Sequence, residues 1–235
     1  MTMNNDTVSK NKRNFVDFIL ENEALRIQGP YRLKSGRQSP YFVNTGDFSD
    51  GVGLDELGRF YATALIEENV EFDSLYGPPD KGTALSIATA MRIGRQATKS
   101  VGYLYNRTKP KDYGDAKEDQ AKRFIVGHVP QNGERVMMID DVFTTGDTKN
   151  DAITFLKGLA DVEISGLIIA VDRQEVNKDN EDAIQKFEDN TGIRVYSVAD
   201  AVSIMRVLEE EENPVADEMR KYLQEWGTEK AKQLL

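Results

Sequence analysis

The chain has no cysteine among its 235 residues, which excludes disulfide bonds, thiolate catalysis and thiolate-bound metals. It also lacks long apolar runs: the longest, such as residues 166–171, are far too short to cross a bilayer. Its N-terminus is polar and has no apolar signal-peptide core, so we expect a cytoplasmic protein. The only histidine, His128, lies before Pro130 in an expected turn and is assigned no role.

Basic residues are fewer than acidic ones, with 30 lysines and arginines against 40 aspartates and glutamates. The resulting formal net charge of −10 disfavours nonspecific binding to nucleic acids. Any site for an anionic ligand must therefore be basic locally, which makes clusters of lysine and arginine informative. The acidic run at residues 209–212 is interpreted as a solvated helix end.

Short apolar segments alternate with segments of helical periodicity along most of the chain. This alternation predicts an α/β fold with a mostly parallel central sheet flanked by helices. We expect residues 1–50 to form an N-terminal helix and an added segment, and residues 51–235 to form the α/β core with C-terminal helices, in one continuous domain. The predicted helices are 9–25, 54–68, 82–97, 147–159 and the region after 202, and the predicted strands are 74–77, 101–105, 136–139, 164–171 and 195–198.

The most informative stretch of the sequence is residues 136–148. An apolar run predicts a strand buried on both faces, and the adjacent carboxylates of Asp140 and Asp141 follow it. Two such carboxylates are costly to desolvate, so they favour contact with a cation or a sugar diol over burial in a core. The hydroxyl-rich turn around Gly146 then opens a helix, whose N-terminal amides and dipole suit a phosphate. The alternative is an ordinary strand-to-helix turn capped by Asp and Thr.

Two further segments combine basic residues with turn residues. Residues 32–44 carry Lys34 near a Ser-Gly pair and an aromatic pair, which suits a cationic lid over a flat ring. A hairpin with surface charges is the alternative. Residues 76–84 form a Gly/Pro turn that opens a helix, where backbone amides and Lys81 suit a second phosphate group. An ordinary strand-to-helix turn is the alternative there.

Two more basic segments follow predicted strands. Residues 106–114 place Arg107 and Lys111 at the start of a long hydrophilic connection that continues to Arg123. Connections of this length are typically lids or disordered, and a plain solvated loop is the alternative. Residues 172–175 put Arg173 at the end of an apolar strand, where it would direct a fixed cation to the same sheet edge as the acidic pair. An exposed strand-end arginine is the alternative.

The stretch 136–148 resembles the signature with which type I phosphoribosyltransferases bind 5-phosphoribosyl 1-pyrophosphate (PRPP). It is not a P-loop, since no Gly-Lys-Ser/Thr follows. Together with residues 33–42, 106–112 and 172–175, in matching order from about Phe15 to Val202, it resembles the orotate phosphoribosyltransferase branch of that family. The resemblance implies the family fold with a small N-terminal hood in residues 1–50. It also implies phosphoribosyl transfer from PRPP to orotate, in pyrimidine nucleotide biosynthesis.

The resemblance further implies roles for individual residues. The acidic pair would hold the ribose hydroxyls, the following turn the 5′-phosphate, and Lys111 the leaving pyrophosphate. The implied catalytic residues are Lys34, Arg107, Lys111, Asp140 and Asp141. The implied PRPP contacts are Lys34, Asp80, Lys81, Arg107, Thr108, Lys111, Tyr113, Asp140, Asp141, Val142, Phe143, Thr144, Thr145, Gly146, Asp147 and Thr148, and the implied orotate contacts are Lys34, Phe42, Val43, Thr144 and Arg173.

The implied cofactor is Mg²⁺, held mainly by PRPP oxygens and water, with no direct protein ligand. The implied transition state resembles an oxocarbenium ion, so the protein would position the reactants, exclude water and stabilise charge on pyrophosphate. The implied assembly is a homodimer in which the loop that starts at Arg107 closes over the neighbouring subunit's site. The small-molecule partners are orotate and PRPP, with no nucleic acid and no membrane expected.

Three positions depart from the family pattern near the pyrophosphate: Thr108 replaces a lysine, Tyr113 a histidine and Asp80 an aromatic residue. The segment 115–125 is also longer and lacks the common glycines, and residues 116–124 could form a helical turn. We therefore expect slower or differently gated loop closure. Three alternatives stay open: transfer to a purine or other base, a regulatory protein that senses PRPP without catalysis, and a generic nucleotide-binding α/β domain.

Overall fold

The computed structural model describes residues 8–114, 120–143 and 146–235 of the chain. The strands are β1 (Leu25–Arg26), β2 (Tyr31–Arg32), β3 (Gln38–Ser39), β4 (Phe42–Val43), β5 (Ser74–Tyr76), β6 (Gly102–Asn106), β7 (Ile125–Gly127), β8 (Arg135–Ile139), β9 (Glu163–Asp172) and β10 (Val195–Asp200). The helices are α1 (Lys10–Glu21), α2 (Gly51–Glu67), α3 (Lys81–Gln96), α4 (Gln120–Phe124), α5 (Asp147–Leu159), α6 (Ala183–Thr191), α7 (Ala201–Glu210), α8 (Val215–Trp226) and α9 (Glu229–Lys232).

Six strands form the central sheet in the order β10–β9–β8–β5–β6–β7. Each neighbouring pair is parallel except β6 and β7, so the predicted α/β fold with a mostly parallel sheet is confirmed. Parallel strands end at the same edge of a sheet, and ligands of such folds bind at that edge. The residues that follow β5, β8 and β9 therefore lie side by side.

The strands β8 and β9 are almost continuously apolar, which allows them to occupy interior positions of the sheet. Met137 and Ile139 contribute to one hydrophobic cluster, with α2 and the N-terminal segment, whereas Val136 and Met138 contribute to a second cluster with α5. Burial of one such side chain stabilises the fold by roughly 1.5–3 kcal/mol. None of the helices in the described ranges is long and apolar enough to cross a membrane.

The N-terminal segment packs on the first of these clusters. The helix α1 begins after Ser9, whose Oγ accepts a hydrogen bond from the amide of Lys12 at 3.3 Å. Its buried side includes Phe15 and Ile19, and the Phe15 ring meets the Phe60 ring of α2 edge to face at 5.2 Å between centroids. The strand pairs β1–β4 and β2–β3, both antiparallel, then form the rest of the hood.

Most predicted elements agree with the structure to within a few residues, but three features differ. The first helix ends at Glu21 instead of residue 25, because Asn22 Nδ2 donates to the carbonyl of Phe18 at 2.8 Å and Glu23 adopts a left-handed φ of 56°. The strand β7 and the helix α6 were not predicted. The first has only three residues, and α6 has nine residues with Phe187 as its buried side chain, so both are short segments with few apolar residues.

Candidate active site

The acidic pair lies at the carboxyl end of β8 and is fixed there through its backbone. The amide of Asp140 donates to the carbonyl of Ile168, and the carbonyl of Asp141 accepts from the amide of Ala170, both at 3.0 Å. The hydroxyl of the buried Tyr61 of α2 donates to the carbonyl of Asp140 at 2.9 Å. The backbone of the pair is therefore held by the neighbouring strand and by a helix.

Each carboxylate of the pair has one oxygen on a backbone amide and the other on a lysine. Oδ1 of Asp140 accepts from the amide of Asp141 at 2.9 Å, and Oδ2 forms an ion pair with Lys149 Nζ. Oδ1 of Asp141 accepts from the amide of Val142 at 2.8 Å, and Oδ2 lies 2.6 Å from Lys81 Nζ. Two lysines from the first turns of two helices, α5 and α3, thus balance the two negative charges.

The two ion pairs differ in burial. The side chain of Lys149 is 4% exposed and that of Asp140 17%, whereas Lys81 is 45% exposed. Burial raises the pKa of Asp140 above its ordinary value, and the Lys149 ammonium lowers that pKa part of the way back. The Asp140–Lys149 pair is therefore an internal part of the fold, while Lys81 remains accessible to an anionic ligand.

The predicted phosphate turn leads into α5 as expected. Thr144 and Thr145 lie outside the described residues. Gly146 has a φ of +84°, in the left-handed region that glycine enters without strain, and its carbonyl accepts from the amides of Lys149 and Asn150 at 3.0 Å. The first amides of α5 have no partner within the helix, as at any helix start, and they suit an anionic ligand. Thr148, in this first turn, is exposed.

The bulky Phe143 packs beside this turn. Its ring meets the Phe187 ring of α6 edge to face, with 5.4 Å between centroids. A Cβ atom built on Gly146 would lie 3.4 Å from Phe143 Cζ, so the ring closely borders the turn. The aromatic residue therefore connects the turn to α6, a contact that a smaller aliphatic side chain would not reach.

The predicted second anion site, the turn between β5 and α3, is folded back on itself. A Cβ atom at Gly77 would lie 1.8 Å from the carbonyl oxygen of Gly82, so only glycine fits there. The turn makes Lys81 the first residue of α3, and its Nζ also lies 3.2 Å from Oδ1 of Asn44. Asp80 precedes Lys81 and is exposed. The turn and the acidic pair are thus joined through one lysine.

Arg173 follows β9 and is enclosed by residues of the hood. Its Nη2 donates to Ser39 Oγ at 3.0 Å, its guanidinium carbon lies 4.1 Å from the centre of the Tyr41 ring, and it pairs with Glu175 at 2.6 Å. Burial lowers the pKa of Arg173, but Tyr41 and Glu175 raise it by more, so this pKa lies above its usual value. This geometry agrees with the prediction of a fixed cation at this edge. It does not agree with the alternative of an exposed arginine at the strand end.

The hood hairpin β2–β3 carries Lys34 at its exposed tip. The neighbouring Arg37 donates to the carbonyls of Val176 at 2.5 Å and Asn177 at 2.8 Å, and its guanidinium carbon lies 4.3 Å from the Trp226 ring centre. The hairpin with surface charges is therefore present. It is also tied to the segment after β9, which holds it near the carboxyl edge of the sheet.

The two expected orotate contacts in β4 differ in environment. Phe42 is half-buried and its ring lies 5.9 Å from the Tyr31 ring. Val43 is 8% exposed and belongs to the hydrophobic core, where it is paired with Leu25 of β1. A ligand in this region would therefore meet the Phe42 side chain and the backbone of Val43.

The basic loop after β6 lies at the same edge of the sheet as the acidic pair, because β6 is parallel to β8 and two positions away from it. The Arg107 guanidinium donates through Nε to the carbonyls of Lys122 at 3.3 Å and Ile125 at 3.1 Å. The amide of Lys111 donates to the carbonyl of Arg123 at 2.9 Å, and its Nζ lies 5.3 Å from the Tyr113 ring centre. These contacts fold the start of the loop onto α4 and β7, two strands beyond β5. Thr108 and Tyr113 are exposed, the latter 72%.

Sequence reasoning missed two polar side chains that contact the carboxylates of the acidic pair or the exposed lysine beside them. Lys149 gave no signal because a lysine in the first turn of a helix is normally solvated, and its burial depends on the packing of α5 on the sheet. Asn44 belongs to the basic segment 32–44, but no role was predicted for it. Its pairing with Lys81 depends on how the hood meets the core, which no local pattern encodes.

The parallel sheet, whose central strand ends in two carboxylates beside a glycine turn and the start of a helix, agrees with the phosphoribosyltransferase fold that the sequence resemblance implies. No protein-family model matches this chain. The chain is 36% identical over 227 residues to the orotate phosphoribosyltransferase of Bifidobacterium animalis subsp. lactis, which covers 92% of this chain and 95% of that protein. It is 37% identical over 218 residues to the orotate phosphoribosyltransferase of Nitrosococcus oceani, with 92% and 95% covered.

The solved structures give the same result. The crystal structure of orotate phosphoribosyltransferase from Francisella tularensis superposes with a TM-score of 0.79 at 30% identity, covering 92% of this chain and all of that one. The chain belongs to the orotate phosphoribosyltransferase family.

Proposed function

We propose that this protein transfers the 5-phosphoribosyl group from PRPP to N1 of orotate and releases pyrophosphate and orotidine 5′-monophosphate. Membership of the family supports the reaction. The observation that carries it is the acidic pair at the end of β8, with Lys81 Nζ 2.6 Å from Asp141 beside a helix start. This arrangement offers carboxylate acceptors for a ribose diol next to donors for two anionic groups.

PRPP would bind across the two turns. The 5′-phosphate takes the amides of the turn that contains Gly146, with Val142, Phe143 and Thr148 around it. The pyrophosphate takes Lys81 and the turn between β5 and α3. Lys81 then leaves Asp141, whose Oδ2 becomes an acceptor for the ribose. Binding of substrate thus replaces one ion pair by two new contacts with PRPP.

Orotate would bind under the hood, between Phe42 and Arg173. Orotate is an anion, and the planar guanidinium of Arg173 can donate two parallel hydrogen bonds to a carboxylate. Lys34, at the tip of the hairpin, supplies a second cation. A neutral purine base has no use for two such cations, which favours orotate over that alternative.

The transfer itself requires little covalent chemistry from the protein. The bond between ribose C1 and the pyrophosphate oxygen breaks, the bond between C1 and orotate N1 forms, and the proton of N1 passes to solvent or to the departing pyrophosphate, on which negative charge develops. Arg107 and Lys111 would stabilise that charge once their loop closes.

When Mg²⁺ is bound with PRPP, it would neutralise part of the pyrophosphate charge. Within the described ranges, no group of three or more histidine, aspartate or glutamate side chains could hold a metal ion. Asp140 and Asp141 already bind ammonium groups. Because these carboxylates already pair with lysines, they fit a Mg²⁺ ion that is held by substrate oxygens and water, as is common for Mg²⁺ bound with phosphates.

We further propose a homodimer that shares the basic loop. An apolar groove between α2 and α3 is lined by Leu54, Ile87 and Met91 and reaches Asp80 of the pyrophosphate turn. Met91 is 51% exposed, and Tyr103 next to it is 38% exposed. A second copy of this chain on the groove would bury these side chains and bring another subunit close to the site.

The first test of the reaction is the loss of orotate ultraviolet absorbance on addition of PRPP and Mg²⁺. We expect a PRPP-dependent loss that falls by about 10²–10³-fold in Lys111→Ala, because a donor to the leaving group is removed. Lys109→Ala, an exposed neighbour, is the matched control. PRPP binding by calorimetry without any turnover would reject this function and favour a PRPP-sensing protein.

The shared loop is tested by mixing two impaired variants, Lys111→Ala and Asp141→Asn. If the loop closes over the neighbouring subunit, the mixed dimer contains one intact site, and about a quarter of the unaltered activity returns. If the mixed subunits are shown to exchange and no activity returns, a shared loop is excluded.

The groove is tested by Met91→Lys, which should convert the dimer to a monomer in sedimentation. An unchanged mass would exclude the groove as the interface.

A further inference from the structure

We propose that Lys149 is a positioning residue of the active site: it holds Asp140 in a fixed, charge-balanced orientation and leaves Asp141 as the carboxylate that binds the ribose diol. This inference rests on the proposed function, because it divides the work of the acidic pair of that site between two residues.

Each oxygen of the Asp140 carboxylate has one partner, and the lysine among these partners is buried. One oxygen accepts from the amide of Asp141 at 2.9 Å and the other pairs with Lys149. The Lys149 side chain runs inward from the first turn of α5 and is 4% exposed. A buried ammonium is costly without its counter-ion, so this pair does not separate when a ligand arrives.

The geometry around Asp141 is different. Its lysine partner, Lys81, is 45% exposed and is shared with Asn44 at 3.2 Å. An anionic pyrophosphate competes directly for an exposed ammonium, and Lys81 exchanges one anion for another without being left unpaired. The binding of PRPP therefore frees the Asp141 carboxylate from its ion pair with Lys81.

Lys149 also sets the electrostatics of Asp140. The other groups that face this carboxylate are Asp141 and the tyrosines Tyr61 of α2 and Tyr76 of β5, and burial, with a smaller effect of the carboxylates, raises the pKa of both tyrosines. Neither tyrosine supplies positive charge. Without Lys149, an unbalanced buried carboxylate would lie beside the binding site of a polyanion.

The test measures PRPP affinity by calorimetry in Lys149→Met, Lys149→Arg, the double variant Asp140→Asn with Lys149→Met, and Asp141→Asn. We expect Lys149→Met to weaken PRPP about tenfold, more at pH 8 than at pH 6, because protonation of Asp140 removes the unbalanced charge. The double variant should regain most of the affinity, and Lys149→Arg should stay closer to the unaltered protein. Asp141→Asn should lose most of the affinity for PRPP. Lys157→Met, on the exposed side of α5, is the control.

Three results would overturn the inference: Lys149→Met with unaltered PRPP affinity and pH profile, a double variant as weak as Lys149→Met, or a double variant with a greater loss than Asp141→Asn. Thermal unfolding checks each variant, and if Lys149→Met does not fold, the arginine and double variants carry the comparison. PRPP binding without turnover in the unaltered protein rejects the proposed function alone. Normal turnover with an unaffected Lys149→Met rejects this inference alone.

Discussion

The guanidinium carbon of Arg173 lies 4.1 Å from the centre of the Tyr41 ring, so an aromatic residue of the hood covers a cation at the end of β9. Ser39 accepts a hydrogen bond from the same guanidinium at 3.0 Å. The hood and the core are thus joined at the residue that we assign to orotate. Changes at this contact should alter orotate binding more than PRPP binding.

We expect Arg173→Lys to raise the KM for orotate at least about tenfold while the KM for PRPP stays nearly constant. An ammonium cannot make the planar, two-bond contact with a carboxylate and stacks less well on Tyr41, and a hydrogen bond to a charged group contributes roughly 1.5–3 kcal/mol. Steady-state kinetics with each substrate varied in turn measures the split. Arg194→Lys removes a similar arginine–tyrosine contact, at 4.8 Å from the Tyr196 ring, and should change neither KM. Equal effects on both substrates would contradict the assignment.

Asp80→Asn should tighten PRPP binding. The exposed carboxylate immediately before Lys81 repels a pyrophosphate, and an exposed charge interaction of this kind contributes up to about 1 kcal/mol, or roughly fivefold in affinity. The gain should shrink at high salt because exposed charges are screened. Asp179→Asn, exposed and distant from the turn, is the control. Unchanged PRPP affinity at low salt would show that Asp80 does not face the pyrophosphate.

Tyr113→His should increase turnover at acidic pH. Tyr113 is 72% exposed in the basic loop, and Lys111 Nζ lies 5.3 Å from its ring centre. A histidine there becomes cationic below its usual pKa near 6.5 and would add positive charge to the closed loop. Turnover measured from pH 5.5 to 8.5 should rise only at the acidic end, and Tyr113→Phe should show no such rise. A flat profile in the histidine variant would count against slowed loop closure.

Asp172→Asn should stabilise the fold at neutral and alkaline pH. Burial raises the pKa of Asp172 to about 6, whereas its unfolded value is near 3.8. The folded state therefore binds a proton more tightly than the unfolded state, so this contribution to stability is full below about pH 4 and is lost as the pH rises through 6. The loss is at most about 3 kcal/mol. Asn keeps an oxygen that can accept from the Gln174 amide, as Asp172 Oδ1 does at 2.7 Å.

Unfolding by urea at pH 5 and pH 8 tests this change. The gain in unfolding free energy of Asp172→Asn should be larger at pH 8. The neighbouring Asp200 provides the contrast: burial raises its pKa, but Lys12 and the bonds from Ser203 lower it by more, so the net pKa is lowered. Asp200→Asn should therefore destabilise the protein at neutral pH. Equal responses of the two variants at both pH values would contradict the assigned pKa directions.

Local patterns were sufficient for the elements that build the sheet. The apolar runs of β8 and β9 and the helical spacing of α2, α3 and α5 predicted their positions within a few residues. The same patterns failed for β7 and α6, since β7 has only three residues and α6 only nine, with one buried side chain. Short elements at an edge depend on the neighbours that they pair with.

The position of Asp140, Asp141 and Arg173 at one edge of the sheet could be predicted from the sequence, because alternating strand and helix segments favour parallel strands, whose carboxyl ends lie at the same edge. Which cation pairs with which carboxylate depends instead on the packing of the elements. Lys81 is 60 residues from Asp141, and Ser39 is 134 residues from Arg173, so these contacts depend on packing between distant segments. Lys149 is only nine residues from Asp140, yet its burial follows from how α5 docks on the sheet. Periodicity predicts the elements, whereas the charge balance of the site depends on their assembly.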